Sequence, residues 1–281
     1  MEFFEAVFEY SFLQRALLAG ILAGIACGII GTFVVSKRIS YVGGGIAHSV
    51  LGGMGAAYFL KTVYQLNWLN PLVGAVAAAI LAAVLIGWIS MRYRQREDTI
   101  ISGIWAVGMA VGIIFISQTP GYYENLMSYL FGNILLISRG DLYLIGLLNL
   151  TIIAVTVLFF NQLSAISFDE EFARVRGVNV ELFYMILMVL TALTVVLLVS
   201  VVGIIMVIAL LTLPPASAGM FSRSLKGTMI LASLFSILFT ILGLGLSYGP
   251  DFPPGAVIIL VAGIFYALAG FLKHFIFSNS R

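Results

Sequence analysis

Apolar residues in this chain fall in long unbroken runs, and the short stretches between the runs carry most of the charge. The runs cover 11–35, 44–60, 71–91, 99–118, 141–160, 179–199, 201–218, 227–247 and 255–273. Each is in the range of about 20 residues that a helix needs to cross a hydrocarbon layer of about 30 Å. Lipid offers no partner to a peptide N–H or C=O, so a spanning segment must pair its own backbone groups. The pattern predicts nine helices. The runs are continuous and do not alternate with polar positions, which argues against an outer-membrane barrel. A further apolar piece, 125–138, has two readings: a tenth span, or a short buried or re-entrant segment on the outer side.

The charged stretches set an orientation. With nine spans, one side of the membrane receives Lys37 and Arg38; Arg92, Arg94 and Arg96; Arg174 and Arg176; Arg223 and Lys226; and Lys273 and Arg281. Arg15, Lys61 and Arg139 fall on the other side. Basic residues collect on the cytoplasmic side, so the prediction is an outer N-terminus and a cytoplasmic C-terminus. A tenth span at 125–138 would move the loop around 168–177 away from the other basic loops.

Composition agrees with this reading. Of 281 residues, 62% are apolar and 9% charged, where a soluble domain carries about 25% charged residues. A soluble enzyme, a disordered chain and a nucleic-acid binder are excluded, and a net charge of +2 suggests no polyanionic partner. One cysteine, Cys27, rules out an intrachain disulfide and a multi-cysteine metal centre. The start, 1–10, is acidic and has no basic n-region of a cleavable signal. No linker divides the chain, so residues 1–281 are read as one transmembrane domain. No G-x-x-x-x-G-K-[ST] loop is present. Energy for any pumping must come from another chain or from an ion gradient.

Two helices carry small-residue faces. Gly20, Gly24 and Gly28 repeat every fourth residue in the first run, a spacing that lets helix backbones approach closely in lipid. In the second run, Gly44, His48, Gly52 and Ala56 form one stripe, beside a stripe of Gly45, Ser49, Gly53 and Ala57. His48 is the one Asp, Glu, His, Lys or Arg side chain between Tyr41 and Lys61. An ionisable residue within a span faces the protein interior or a water-filled path, and neutral imidazole is a common metal ligand. Gly44, His48, Ser49 and Gly52 are therefore candidates to line a translocation path, with His48 as candidate metal ligand. The alternative is that His48 only bonds a carbonyl on a neighbouring helix.

The acidic residues add less. Glu97 and Asp98 suit a helix N-terminus. Glu124 and Asp251 are candidates for an outer cation vestibule, although turn chemistry accounts equally well for Asp251 in Tyr-Gly-Pro-Asp-Phe-Pro-Pro-Gly. No Ser–His–Asp set and no H-E-x-x-H is found, so no catalytic residues are assigned.

The cytoplasmic stretch Ser-Phe-Asp-Glu-Glu-Phe-Ala-Arg-Val-Arg-Gly-Val, 167–178, predicts a short helix. Ser167 and Glu170 form a capping-box pair. Asp169, Glu170 and Glu171 lie near its start, Arg174 and Arg176 near its end, and Gly177 suits a left-handed stop. Phe168, Phe172 and Val175 share one face, and two phenylalanines exposed in a loop need a partner or must fold back onto the membrane or the protein.

These pieces together resemble the ABC-3 permeases, the branch of ATP-binding-cassette importers for zinc, manganese and iron. The similar stretches are KRISYVGGGIAHSVLGGMG (37–55), REDTIISGIWAVGMAVGIIFIS (96–117), YLFGNILLISRGDL (129–142), FDEEFARVRGV (168–178), VVGIIMVIALLTLPPASAGMFSR (201–223) and YGPDFPPGAVIIL (248–260). The resemblance implies an all-α polytopic fold of about nine helices related to vitamin B12 and siderophore importer permeases. It also implies a prokaryotic plasma-membrane location, a homodimer or paired permease, a cytoplasmic ATPase that holds the ATP, and an outer metal-binding protein. The permease would have no resident cofactor, and a divalent metal would be the transported substrate. Phe168, Asp169, Glu170, Glu171, Phe172, Val175 and Gly177 would form the ATPase-coupling helix. One departure stands out: many members carry Asp one turn before the helix 2 histidine, where this chain has Gly44. A permease for a metal chelate, an ion-driven secondary transporter and a membrane scaffold without transport are the alternative readings. The shortage of carboxylates within the spans argues against a proton-driven relay.

Overall fold

A computed structural model describes residues 2–66, 68–92, 97–120, 134, 137–204, 207–250 and 252–278. Every described element is helical: α1 Glu2–Glu9, α2 Ser11–Ser36, α3 Ser40–Val63, α4 Pro71–Arg92, α5 Glu97–Ser117, α6 Arg139–Leu158, α7 Phe160–Phe168, α8 Glu170–Val175, α9 Val180–Val202, α10 Val207–Phe221, α11 Leu225–Tyr248 and α12 Pro254–Ser278. Seven of these, α2, α4, α5, α6, α9, α11 and α12, are long and apolar enough to cross a bilayer. The glycine-rich α3 has the length, with 24 residues, and α10 is a shorter apolar helix. This gives a multi-span helical membrane protein of seven to nine spans, in the order the apolar runs predict.

Three boundaries differ from the prediction. The short α1 was not anticipated. It is too acidic to register as an apolar run, but it buries Ala6 and sets Phe3 at 5.8 Å from Tyr248. The fifth run continues after a break at Phe159 as α7, which carries the chain on to α8. The seventh run begins later than expected, because α9 continues to Val202 and stops at Gly203, whose φ of 82° is left-handed. The apolar piece at 125–138 lies almost wholly outside the described residues.

The helices meet where side chains are smallest. A Cβ placed on Gly28 would lie 2.2 Å from the Ser233 backbone nitrogen on α11, and one on Gly20 would meet Thr240 at 2.4 Å. The predicted glycine face of α2 is therefore its contact with α11. The two stripes of α3 are used in the same way. A Cβ on Gly53 would sit 2.2 Å from the Gly74 carbonyl oxygen of α4, and one on Gly52 would sit 2.8 Å from that of Gly108 on α5. Behind them runs α9, the most buried long helix among those described. Such packing is the expected route to helix association where hydrophobicity supplies no drive between helices.

Several polar connections gather at one end of the bundle. Lys37 pairs with Glu170. Lys226 stands 4.9 Å from the ring centre of Phe160. A cavity of about 470 Å³ is lined by Thr32, Phe168 and Arg223 together, and another of about 230 Å³ by Ser90, Glu170 and Arg174. The loops after α2, α4, α7 and α10 thus share an end.

Replacing Gly28 with Leu is expected to destabilise the protein by at least about 1–3 kcal/mol, because the backbone of α11 occupies the space. Gly103→Ala is the control, since nothing lies within 4 Å of its Cβ position. Thermal unfolding in detergent should show a clear drop for Gly28→Leu and none for Gly103→Ala.

Candidate functional site

The small residues of α3 place His48 between helices without filling the space around it. Its imidazole stacks on the indole of Trp105 from α5, with ring centres 4.0 Å apart and planes within 8°. Trp105 is held in turn by its Nε1–H, which donates to Met109 Sδ at 3.0 Å. His48 is half-buried, and its Nδ1 is buried with no hydrogen-bond partner. Stacking fixes the plane of the ring while leaving its edge, where the nitrogens sit, without a protein partner at Nδ1. An imidazole held in this way could accept a cation at that edge or donate a proton from it.

Gly44 lies one turn before His48. A Cβ on Gly44 would fall 2.4 Å from Ile208 Cδ1 on α10, so the isoleucine occupies the room a larger residue would take. The other two path candidates lie elsewhere on the helix. Ser49 donates to Gly45 O at 2.8 Å and approaches Ile104 O at 3.3 Å. Ser49 and Gly52 border a cleft of about 630 Å³ between α3, α4 and α5, walled by apolar side chains such as Leu60, Leu81 and Val107. The structure therefore sets Gly44 and His48 beside α5 and α10, and Ser49 and Gly52 on the cleft. Among the described residues no three His, Cys, Asp or Glu side chains gather to hold a metal ion. Glu124 and Asp251 lie outside the described residues.

The 167–178 stretch forms the predicted helix with a different start. Asp169 is the N-cap, and its carboxylate accepts from the Phe172 N–H at 2.9 Å. Ser167 does not serve as the cap. It belongs to the last turn of α7, where its hydroxyl donates to Leu163 O at 2.7 Å. The expected Ser167–Glu170 capping box is thus replaced by an aspartate cap two residues later. Phe168 correspondingly ends α7 and does not enter α8. Glu170 and Glu171 occupy the first turn, beside the helix's positive end. The stop is as read: Gly177 has φ 79°, its N–H reaches Arg174 O, and the Val178 N–H reaches Ala173 O, both at 3.0 Å. Ala173 is fully buried, while Phe168, Phe172 and Val175 are 71%, 53% and 86% exposed. The three apolar side chains project from a segment fixed by its own caps.

Two residues at these sites were not singled out by the sequence reading. Trp105 could have been suspected from the G-x-x-x-G that follows it at Gly108 and Gly112, which marks the face of α5 turned to α3. Lys37 was counted only as an inner charge, and its partner lies 133 positions along the chain.

Residues 9–273 match the ABC 3 transport family. The chain belongs to that family. A "probable metal transport system membrane protein" of Chlamydia trachomatis is 42% identical over 262 residues, covering 93% of this chain and 89% of that one. The manganese transport system membrane protein MntC of Halalkalibacterium halodurans is 35% identical over 271 residues, covering 96% and 90%. PsaBC from Streptococcus pneumoniae, solved in complex with Fab, superposes with a TM-score of 0.84 at 32% identity, over 95% of this chain and 94% of that one. The ABC-3 chain is a multi-pass permease subunit, of a kind that has no ATPase activity of its own and works with an ATPase and a binding protein.

Gly177→Ala should strain the end of α8 by about 1–2 kcal/mol, since only the left-handed backbone opposes the new side chain. Hydrogen exchange across 170–178 should quicken in that variant. Gly177→Asn should exchange more slowly than Gly177→Ala, because Asn tolerates the left-handed region better.

Proposed function

We propose that this ABC-3 permease imports manganese, through a path on which His48 is a passing ligand. The chain is the membrane permease of an ATP-binding-cassette importer for metal ions. The observation that carries the cargo is the 35% identity to the manganese permease MntC over nearly the full length of both chains. His48 supplies fitting chemistry: one fixed imidazole with an unpartnered nitrogen is a nitrogen ligand of the kind that borderline metal ions accept. A single imidazole binds weakly, which suits a path that must release what it takes up. Zinc and iron are the competing cargoes.

The working unit in this reading is a pair of permease chains, each one permease domain with no resident cofactor, and the second copy brings a second His48 near the path. The N-terminus is outside and the C-terminus cytoplasmic, so that the end carrying Lys37, α8 and Arg223 faces the ATPase. Phe168, Phe172 and Val175 seat in the ATPase. ATP binding draws the two α8 helices together and switches the path from outward- to inward-facing, and hydrolysis resets it. The outer binding protein delivers the ion on the opposite side.

Cells making this chain with its ATPase and binding protein should take up labelled manganese in preference to labelled zinc. His48→Ala should lower that uptake about tenfold or more with the protein still inserted, as expected when a direct ligand of the ion is lost. Manganese uptake unchanged by His48→Ala would remove His48 from the path, and a preference for zinc would replace the cargo. Replacing Phe168 and Phe172 together with Ala should release the ATPase during purification while leaving the permease as stable as before, because both rings are exposed.

A further inference from the structure

Lys37 closes α2 at the cytoplasmic end, and its side chain is only 9% exposed. A buried ammonium needs compensation from every direction, and this one receives it from three elements. Its Nζ pairs with the Glu170 carboxylate in the first turn of α8 and donates to Ile166 O in α7 at 3.1 Å. It also stands 5.1 Å from the ring centre of Tyr184 in α9. The next residue, Arg38, is in the left-handed region at φ 61°. The Arg38 N–H bonds Val35 O at 3.1 Å, the Ile39 N–H bonds Val34 O at 3.0 Å, and α3 begins at Ser40. The corner between α2 and α3 is therefore a tight hydrogen-bonded turn with no slack. His48 lies eight residues into α3, about 12 Å along its axis.

We propose that Lys37 is the positioning residue that transmits movement of α8 to the α2–α3 corner and so to the helix bearing His48. The inference rests on α8 being the ATPase-docking element. The exposed face of α8 takes the load through Phe172 and Val175. The opposite side holds Glu170, whose carboxylate draws the Lys37 ammonium with it, and the stiff corner passes the displacement to α3. Removal of the charge leaves the docking face intact and breaks the connection behind it. Lys37 touches neither the ion nor ATP, so its loss should separate hydrolysis from transport without reducing hydrolysis itself.

The test uses the whole transporter in proteoliposomes, with permease, ATPase and binding protein, and a spin label at Tyr41→Cys in a Cys27→Ser background. Tyr41 is exposed at the start of α3. In the parent, trapping ATP on the ATPase should shift the label's spectrum. Lys37→Met, which keeps the length of the stem, should abolish that shift and lower the manganese carried per ATP about tenfold. Lys37→Arg should restore both. Should Lys37→Met fail to assemble, Glu170→Gln, altered at the half-exposed end of the pair, should weaken the shift in the same direction. A parent with no ATP-dependent shift overturns the proposal, as does a full shift in Lys37→Met or in the substitute Glu170→Gln. A parent that shifts normally but carries no manganese counts against the cargo reading and leaves the Lys37 inference standing on the label.

Discussion

Helix backbones in a bilayer gain nothing from hiding apolar side chains from solvent, because lipid tails are as apolar as leucine. What holds this bundle together is close contact between backbones, and glycine makes that contact possible. Gly28 against Ser233 joins α2 to α11, Gly53 against Gly74 joins α3 to α4, and Gly52 against the Gly108 carbonyl joins α3 to α5. The last of these also builds the candidate path. With α3 and α5 drawn together, the imidazole of His48 lies flat on Trp105. A looser pair of helices would leave the histidine free to rotate and to find a carbonyl. The contacts that stabilise the fold thus also keep a nitrogen unpartnered inside it.

The same economy governs charge. Ionised groups within lipid are costly, and the described spans use almost none away from their ends. The basic residues collect at the end where α8 lies, and there Lys37 is drawn inward to meet Glu170, Ile166 and Tyr184. A shortage of carboxylates within the described spans fits energy that arrives mechanically. In the reading proposed above, the self-capped helix 170–175, with Phe172 and Val175 projecting from it, receives a push from outside the membrane. The side of it that carries buried Ala173 and the half-exposed Glu170 is the side connected to the rest of the bundle.

Much of this was legible in the sequence, for physical reasons that differ from element to element. Lipid forces long apolar runs into helices, so the order of the spans could be read directly, and the i, i+4 glycines of α2 and α3 pointed to the contacts they make. The stop of α8 was readable because Gly177 is a local device. Its start was not. Ser167 and Asp169 are both good caps, and only the continuation of α7 through Phe168, which commits the Ser167 hydroxyl to Leu163, decides between them. Helix α1 escaped because it lies on the bundle without crossing and carries too little apolar length to stand out. The Trp105 stack and the Lys37 junction join residues 57 and 133 positions apart, and no local pattern encodes such pairings. The filling of the space at Gly44 by Ile208 from α10 escaped for the same reason.

In the proposed reading, energy enters this permease from ATP through α8 and not through its spans from an ion gradient. The most direct measurement is manganese accumulation in proteoliposomes holding the complete transporter, once with ATP supplied to the ATPase side and once with an imposed proton gradient and no ATP. ATP-driven import gives accumulation against the manganese gradient in the first case and none in the second. Accumulation driven by the proton gradient alone would contradict it.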